Sequence, residues 1–319
     1  MQRFVLTGLV VLVLGCDSVD RVQSSESGHT YQVYFLGGQS NMDGYGYVSG
    51  LPNAWAKTQH DIPIFHGKTV EDGKSGGGVG LWSPLVPGHG FGFDTDGVQN
   101  KYSDRFGPEI TFALTMAETS PDNRVALIKF ARGGTGLVDG VSAYGSWDPD
   151  YASGNRRNQY DNALTSIAIA MQTRDIDGDG REDRLIPAGI VWMQGEADAF
   201  DNLPAATHYA DNLKRLMDLL RAALRADGLP VVIGQIADSG KTPDTRVMSY
   251  AGEVQQGQRD FVTSDPCAAL VTNTQFFEFL PDKWHYTSDG YIELGTAFAE
   301  SMLDLQKRCP APQIDDSGP

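Results

Sequence analysis

Residues 31–44 read Y-Q-V-Y-F-L-G-G-Q-S-N-M-D-G. The first six, Tyr31 to Leu36, form a near-continuous apolar run, the pattern of a strand buried on both faces. Gly37 and Gly38 then release the chain into a loop, and Ser40 stands at the hand-over. A serine among glycines is as readily a turn residue as a nucleophile. The G-x-S-x-G elbow of lipases is absent, because Asn41 and Met42 follow the serine. Ser40 therefore needs partners from elsewhere in the chain.

Further short apolar runs resemble the first: Val125–Phe130, Gly189–Met193, Val231–Ile236 and Ala269–Thr272, with Val33–Leu36 making five. Helical patterns alternate with them over Pro108–Glu118, Asn158–Gln172, Ala205–Ala226, Val247–Phe261 and Gly290–Lys307. Pro108 suits a first helical turn, and Thr287, Ser288 and Asp289 offer N-caps. The alternation predicts a three-layer α/β/α domain over residues 30–309, doubly wound around a mainly parallel, five-stranded sheet. Residues 43–104 interrupt the pattern. They are aperiodic, glycine-rich and aromatic, and are expected to form a long loop over the active-site end of the sheet.

The 25 Lys and Arg against 41 Asp and Glu give a net charge of −16. Such a chain repels nucleic acid and anionic lipid, so neither is expected as a partner. The N-terminus carries Arg3, an apolar stretch from Phe4 to Leu14 too short to span a bilayer, and Gly15-Cys16. Residues 1–15 read as a lipoprotein signal, Cys16 as the lipidation site and residues 16–29 as a polar tether, giving an exported bacterial lipoprotein held to a membrane by its lipid. In an oxidising compartment Cys267 and Cys309 are expected to form a disulfide. The proline-rich, acidic stretch 310–319 reads as a disordered tail.

In an open parallel sheet, ligands bind beyond the carboxyl ends of the strands, where Ser40 falls. His285 lies in the loop before the last helix, three residues after Asp282. An imidazole that takes the serine proton and a carboxylate that fixes its tautomer are what a serine nucleophile requires. After the third predicted strand comes W-M-Q-G-E-A-D, residues 192–198, where the Gln194 amide can meet a developing oxyanion. After the second comes R-G-G-T-G, residues 132–136, whose glycines let backbone N–H groups approach the same oxygen.

G-Q-S-N-M, G-G-T, W-M-Q-G-E-A-D and D-x-x-H, in this order, resemble the SGNH-type esterases. The likeness is to the branch containing sialate O-acetylesterases and the acetylxylan esterases of carbohydrate esterase family 6. Phe106-Gly107-Pro108-Glu109 resembles that branch too. The resemblance implies a flavodoxin-like SGNH hydrolase fold and a carbohydrate O-acetylesterase acting by two-step acyl transfer, with no catalytic cofactor. It implies Ser40 as nucleophile, His285 as base and Asp282 as its orienter. The oxyanion hole would come from the Ser40 N–H, Gly133 or Gly134, and Gln194, with Glu196 as a rival or additional carboxylate. Trp284, with Trp55, Trp82 or Trp147, is a candidate platform for an acetylated sugar, the expected partner. Two other readings remain open: a non-catalytic carbohydrate-binding protein, and an esterase for non-sugar esters.

Residues 175–183, D-I-D-G-D-G-R-E-D, have the D-x-D-x-D-G spacing of a calcium loop. Asp175, Asp177, Asp179 and Asp183 are its candidate ligands. Ile186 stands where an EF-hand has its bidentate glutamate, so the expected role is a structural Ca²⁺ rather than catalysis.

Overall fold

The computed structural model describes residues 28–154 and 156–309. The predicted signal, Cys16, most of the tether and the tail lie outside the described residues. Seven strands form the main sheet: β1 Thr30–Gly38, β2 Gln59–His66, β3 Trp82–Leu85, β4 Arg124–Ala131, β5 Arg184–Met193, β6 Val231–Gly234 and β7 Ala268–Val271. Their order is β7-β6-β5-β1-β4-β2-β3, and all pairings are parallel except β2 with β3. The five predicted strands are its centre and one flank, arranged in the 2-1-3-4-5 order of a flavodoxin-like sheet. The expected strand number is corrected from five to seven.

The two added strands lie in 43–104, so that region is not one long loop. Gly46–Tyr47 also pairs with Arg105–Phe106, and Asp94–Thr95 with Asn100–Lys101. The pattern of β2 and β3 is broken by proline: Pro63 sits opposite Pro84 in the antiparallel pair. Proline removes a ladder donor, so it is confined to strands near a sheet edge, where these lie.

Helices α1 (Glu109–Thr119) and α5 (Ser288–Gln306) pack on each other. Tyr34 of β1 meets Phe112 of α1 edge-on, and its hydroxyl accepts from Gln306 of α5. The other layer holds α2 (Gln159–Gln172), α3 (Tyr209–Ala223) and α4 (Ala251–Ser264), packed in series. Asn158 caps α2, accepting from the Asp161 N–H. Thr287 makes no side-chain cap on α5, and Ser288 Oγ instead accepts from Tyr47 N. The helix expected from Ala205 breaks at His208, after the short turn Leu203–Thr207.

Both ends of the described chain are fastened at the edge of the sheet where β5 and β7 begin. Cys267 and Cys309 form a disulfide with a Cα–Cα distance of 5.8 Å. The last two tether residues are already part of the fold. Gly28 N donates to Glu182 O at 3.0 Å, and His29 N donates to Asp183 Oδ1 at 2.8 Å.

Candidate active site

Gly38 closes β1 with a φ of +146°, and a Cβ there would lie 2.0 Å from Met193 O. Only glycine lets the ends of β1 and β5 approach so closely. The chain turns at once into the helical turn Ser40–Asp43, with Gln39 N bonded to Met193 O. Ser40 lines a cavity of about 600 Å³ together with His285, Glu196, Arg132, Gly133 and Gly134. The four motifs thus converge beyond the carboxyl ends of β1, β4 and β5 and on the loop before α5.

His285 Nδ1 lies 2.8 Å from Asp282 Oδ2, and Asp282 Oδ1 also accepts from the backbone N–H of Trp284 and His285. That clasp fixes the loop and the ring together. Tyr45 stacks on the His285 ring, centroids 3.5 Å apart and planes parallel within 1°, and Phe91 stacks on Tyr45 at 4.6 Å. Burial holds the imidazole below its usual range, partly opposed by Asp282, while His285 and two backbone N–H groups hold the Asp282 carboxyl below its own against the opposing effect of burial. A neutral ring at neutral pH is the form a general base needs. Among the described residues no hydrogen bond joins Ser40 to His285. The two side chains meet only as walls of one cavity.

Asn41 ties the surroundings together. Its Nδ2 donates to Glu196 Oε1 at 2.6 Å and to Trp284 O at 3.2 Å, and its Oδ1 accepts from Tyr291 on α5. Glu196 therefore bonds the turn that carries Ser40, whereas Asp282 bonds the histidine. Burial raises the Glu196 carboxyl above its usual range, and its Oε2 has no hydrogen-bond partner among the described residues.

Gln194 does not line the cavity, which corrects the expectation of an oxyanion donor. Its buried NH2 donates to Thr135 O at 3.0 Å and Asp198 Oδ2 at 2.5 Å. Asp198 in turn accepts from Leu137 N. The amide thus braces the loop that carries Gly133 and Gly134. A Cβ on Gly133 would sit 3.3 Å from Ser40 Cβ, whereas one on Gly134 would face Tyr144. Gly133 is the glycine beside Ser40. Gln39, which the sequence did not single out, lines the cavity with its oxygen accepting from Ala197 N. Among the described residues no hydrogen bond is made by its NH2 end.

Of the tryptophans expected to meet substrate, only Trp284 lines the cavity. Trp147 is fully buried against Trp192 and Phe130, with Nε1 donating to Thr135 Oγ1. Trp82 packs on Phe65 and bonds Ala170 O, and Trp55 packs on the core. The aromatic mouth is made instead by Tyr45, Phe91, Tyr144 and Phe200 beside Trp284. Phe91, Tyr144 and Phe200 are exposed.

Beneath the nucleophile turn lies a buried cation. Lys129 of β4 donates to Asp43 O at 2.8 Å, His89 O at 2.9 Å and Glu109 Oε2 at 2.8 Å. Glu109 accepts in addition from Gly107 N. Both side chains are fully buried. One ammonium thus joins the end of the Ser40 turn, the 43–104 region and the first turn of α1.

The acidic loop is remote, ahead of β5. Oxygens of Asp175, Asp177 and Asp183 lie within 4.8 Å of one another. Asp179 falls in a separate grouping with Asp177 and His29, and its carboxylate pairs with Arg181.

The family model for carbohydrate esterases described as sialic acid-specific acetylesterase matches residues 30–304. A probable carbohydrate esterase of Arabidopsis thaliana is 26% identical over 114 residues, which is 36% of this chain and 39% of that relative. The solved structure of an Arabidopsis thaliana protein superposes with a TM-score of 0.61 at 20% identity, covering 86% of this chain and 98% of that one. A carbohydrate acetylesterase from Xanthomonas citri gives 0.58 at 14% identity, covering 87% of this chain and 56% of that one. NanS gives 0.56 at 14% identity, covering 88% and 99%. At these identities the structural likeness shows a shared fold.

Proposed function

Since the chain belongs to the sialic acid-specific acetylesterase family of carbohydrate esterases, we propose that it removes acetyl groups from carbohydrates by a Ser-His-Asp mechanism. The observation that carries this reading is the Asp282–His285 pair opening onto the same cavity as Ser40. His285 takes the Ser40 proton as Oγ attacks the acetyl carbonyl, forming the C–O bond to the enzyme. The sugar alkoxide then leaves with the proton held on His285. Water, deprotonated by the same ring, attacks the acetyl-enzyme, and acetate departs as the proton returns to Ser40. Asp282 fixes the ring so that Nε2 is free to act. The Ser40 N–H, the Gly133 N–H and the Gln39 amide are the donors for the oxyanion.

Acetate release from acetylated xylosides and acetylated sialic acids, compared between the native protein and Ser40→Ala, tests the reading. Release by the native protein that falls to background in the variant supports it. No release from any of these by the native protein sinks it, and leaves a non-catalytic carbohydrate-binding role on the same fold.

Two proposals accompany this one. Residues 1–15 and Cys16 support export as a lipoprotein, which a loss of detergent-phase partitioning in Cys16→Ala would bear out. The convergence of Asp175, Asp177 and Asp183 supports a structural Ca²⁺.

A further inference from the structure

A second cavity of about 310 Å³ lies beside the catalytic one, lined by Asp43, His66, Lys68, Phe93, Asp94 and Arg132 among others. Phe91 and Arg132 line both cavities. The catalytic reading makes no use of this space. Its polar groups are unevenly satisfied. Asp43 is only 7% exposed and burial pushes its carboxyl up to about 7, against Lys129 and Arg132, yet that carboxyl makes no hydrogen bond among the described residues. The Arg132 Nε is buried with no hydrogen-bond partner among the described residues. Lys68 Nζ sits 2.9 Å from Asp94 Oδ1, and both groups are part-exposed. His66 stacks on Phe93 with centroids 4.1 Å apart, its Nδ1 3.3 Å from His89 Nδ1.

A buried carboxyl on a cavity wall wants a hydrogen-bond partner in either protonation state, while a guanidinium on the same wall wants an acceptor. One ligand group answers both: a hydroxyl donates one hydrogen bond and accepts others. Neighbouring hydroxyls on a ring can bridge Asp43 to Arg132, and Asp94 to Lys68, through charge-assisted bonds. Phe91 and Phe93 add aromatic surface for the apolar C–H face of such a ring. A simple anion would meet Arg132, but at Lys68 it would have to compete with the Asp94 carboxylate already there. A purely apolar ligand would leave Asp43 and Arg132 desolvated and unpaired, and would strip water from the Lys68–Asp94 pair. The volume also falls at the lower end of the range of about 300–1,000 Å³ typical of small-molecule sites.

We propose that the second cavity is a subsite for an adjoining sugar, so that the substrate is an acetylated oligosaccharide rather than a free monosaccharide. The acetylated residue occupies the cavity of Ser40, and its neighbour in the chain passes Phe91 and Arg132 into the polar cavity. The proposal rests on the esterase reading for its catalytic consequence, though not for the binding itself.

The test compares short and long members of two substrate pairs: acetylated methyl xyloside with acetylated xylobiose, and acetylated N-acetylneuraminic acid with acetylated sialyllactose. In whichever pair is hydrolysed, the longer member is expected to show at least a tenfold higher kcat/KM. Lys68→Ala and Asp94→Ala, at part-exposed positions outside the catalytic group, should remove that advantage and leave 4-nitrophenyl acetate hydrolysis unchanged. Equal kcat/KM for short and long members of the native enzyme overturns the subsite while leaving the esterase reading intact. So does a length preference that survives both variants. Should the native protein release no acetate, calorimetric titration with unacetylated xylobiose and sialyllactose decides. Binding that Lys68→Ala weakens supports the subsite, and no binding to the native protein overturns it.

Discussion

Asp282 acts on His285 in two ways that one variant separates. It orients the ring through the 2.8 Å contact at Nδ1, and it raises a pKa that burial holds low. The base works as the neutral ring, so kcat/KM should rise with pH through the His285 pKa, with its midpoint below the ordinary histidine value of about 6.5. In Asp282→Asn the raising influence is gone, and the midpoint should move to lower pH still. Loss of the tautomer control should also cut kcat by up to about 10⁴-fold. A pH–rate profile reads both effects. A midpoint that climbs in the variant would show that another group holds the ring. A second residue-scale prediction concerns Gly133. A methyl there would lie 3.3 Å from Ser40 Cβ, tighter than ordinary contact. Gly133→Ala should lower kcat by about 10²–10³-fold if it displaces an oxyanion donor, with little change in melting temperature. A variant that loses stability but keeps kcat would place Gly133 outside the hole.

Elements are held in register around the nucleophile by Lys129, and the cost of losing it can be anticipated. Removing one partner of a buried pair leaves the other charge unpaired, at about 3–5 kcal/mol. Lys129→Met should therefore lower stability on that scale in chemical denaturation, and Glu109→Gln should do so by less, because its amide can still meet Lys129. The functional mark is a fall in kcat with KM preserved, since Asp43 O and His89 O lose the ammonium that sets the turn after Ser40. A rise in KM alone would mean that the clamp shapes only the binding surface. Legibility differs at this scale. The five central strands could be read because burial on both faces leaves an unbroken apolar run, as in Val125–Phe130. β2 and β3 could not, because Pro63 and Pro84 interrupt them and one of the two is an edge. The Asp282–His285 pair was local enough to read, the two residues lying one turn apart. Gln194 misled because its neighbours suggested a donor, while its amide is claimed by Thr135 O and Asp198, contacts that only the folded chain creates. Tyr45, Phe91, Tyr144 and Phe200 come from separate loops with no shared spacing, so nothing in the sequence marked them as one mouth.

Across the whole molecule, the candidate site and the fastenings of the chain ends occupy opposite edges of the sheet. The site gathers where β1, β4 and β5 end. The disulfide precedes β7, and the acidic loop precedes β5. Chelation should therefore lower the melting temperature if Ca²⁺ is bound at Asp175, Asp177 and Asp183, without altering Ser40-dependent rates per folded molecule. An unchanged melting temperature would leave the loop closed by its own backbone bonds, such as Gly178 N and Gly180 N to Asp175. The disulfide obeys the same separation and can be given a magnitude. Cys267 and Cys309 are 42 residues apart, and closing a loop of that length removes about 4 kcal/mol of unfolded-chain entropy. Cys309→Ser should cost roughly 2–4 kcal/mol, because residual structure in the unfolded chain reduces the gain from cross-linking. The half-buried end of α5 would then be held only by its packing and by contacts such as Arg308 to Ala268 O. Denaturant unfolding of Cys309→Ser and of the reduced native protein should agree, while kcat and KM at 25 °C stay at native values. A fall in kcat in both would show that α5 transmits its C-terminal anchoring to the catalytic edge, by way of the Tyr291 hydroxyl on Asn41.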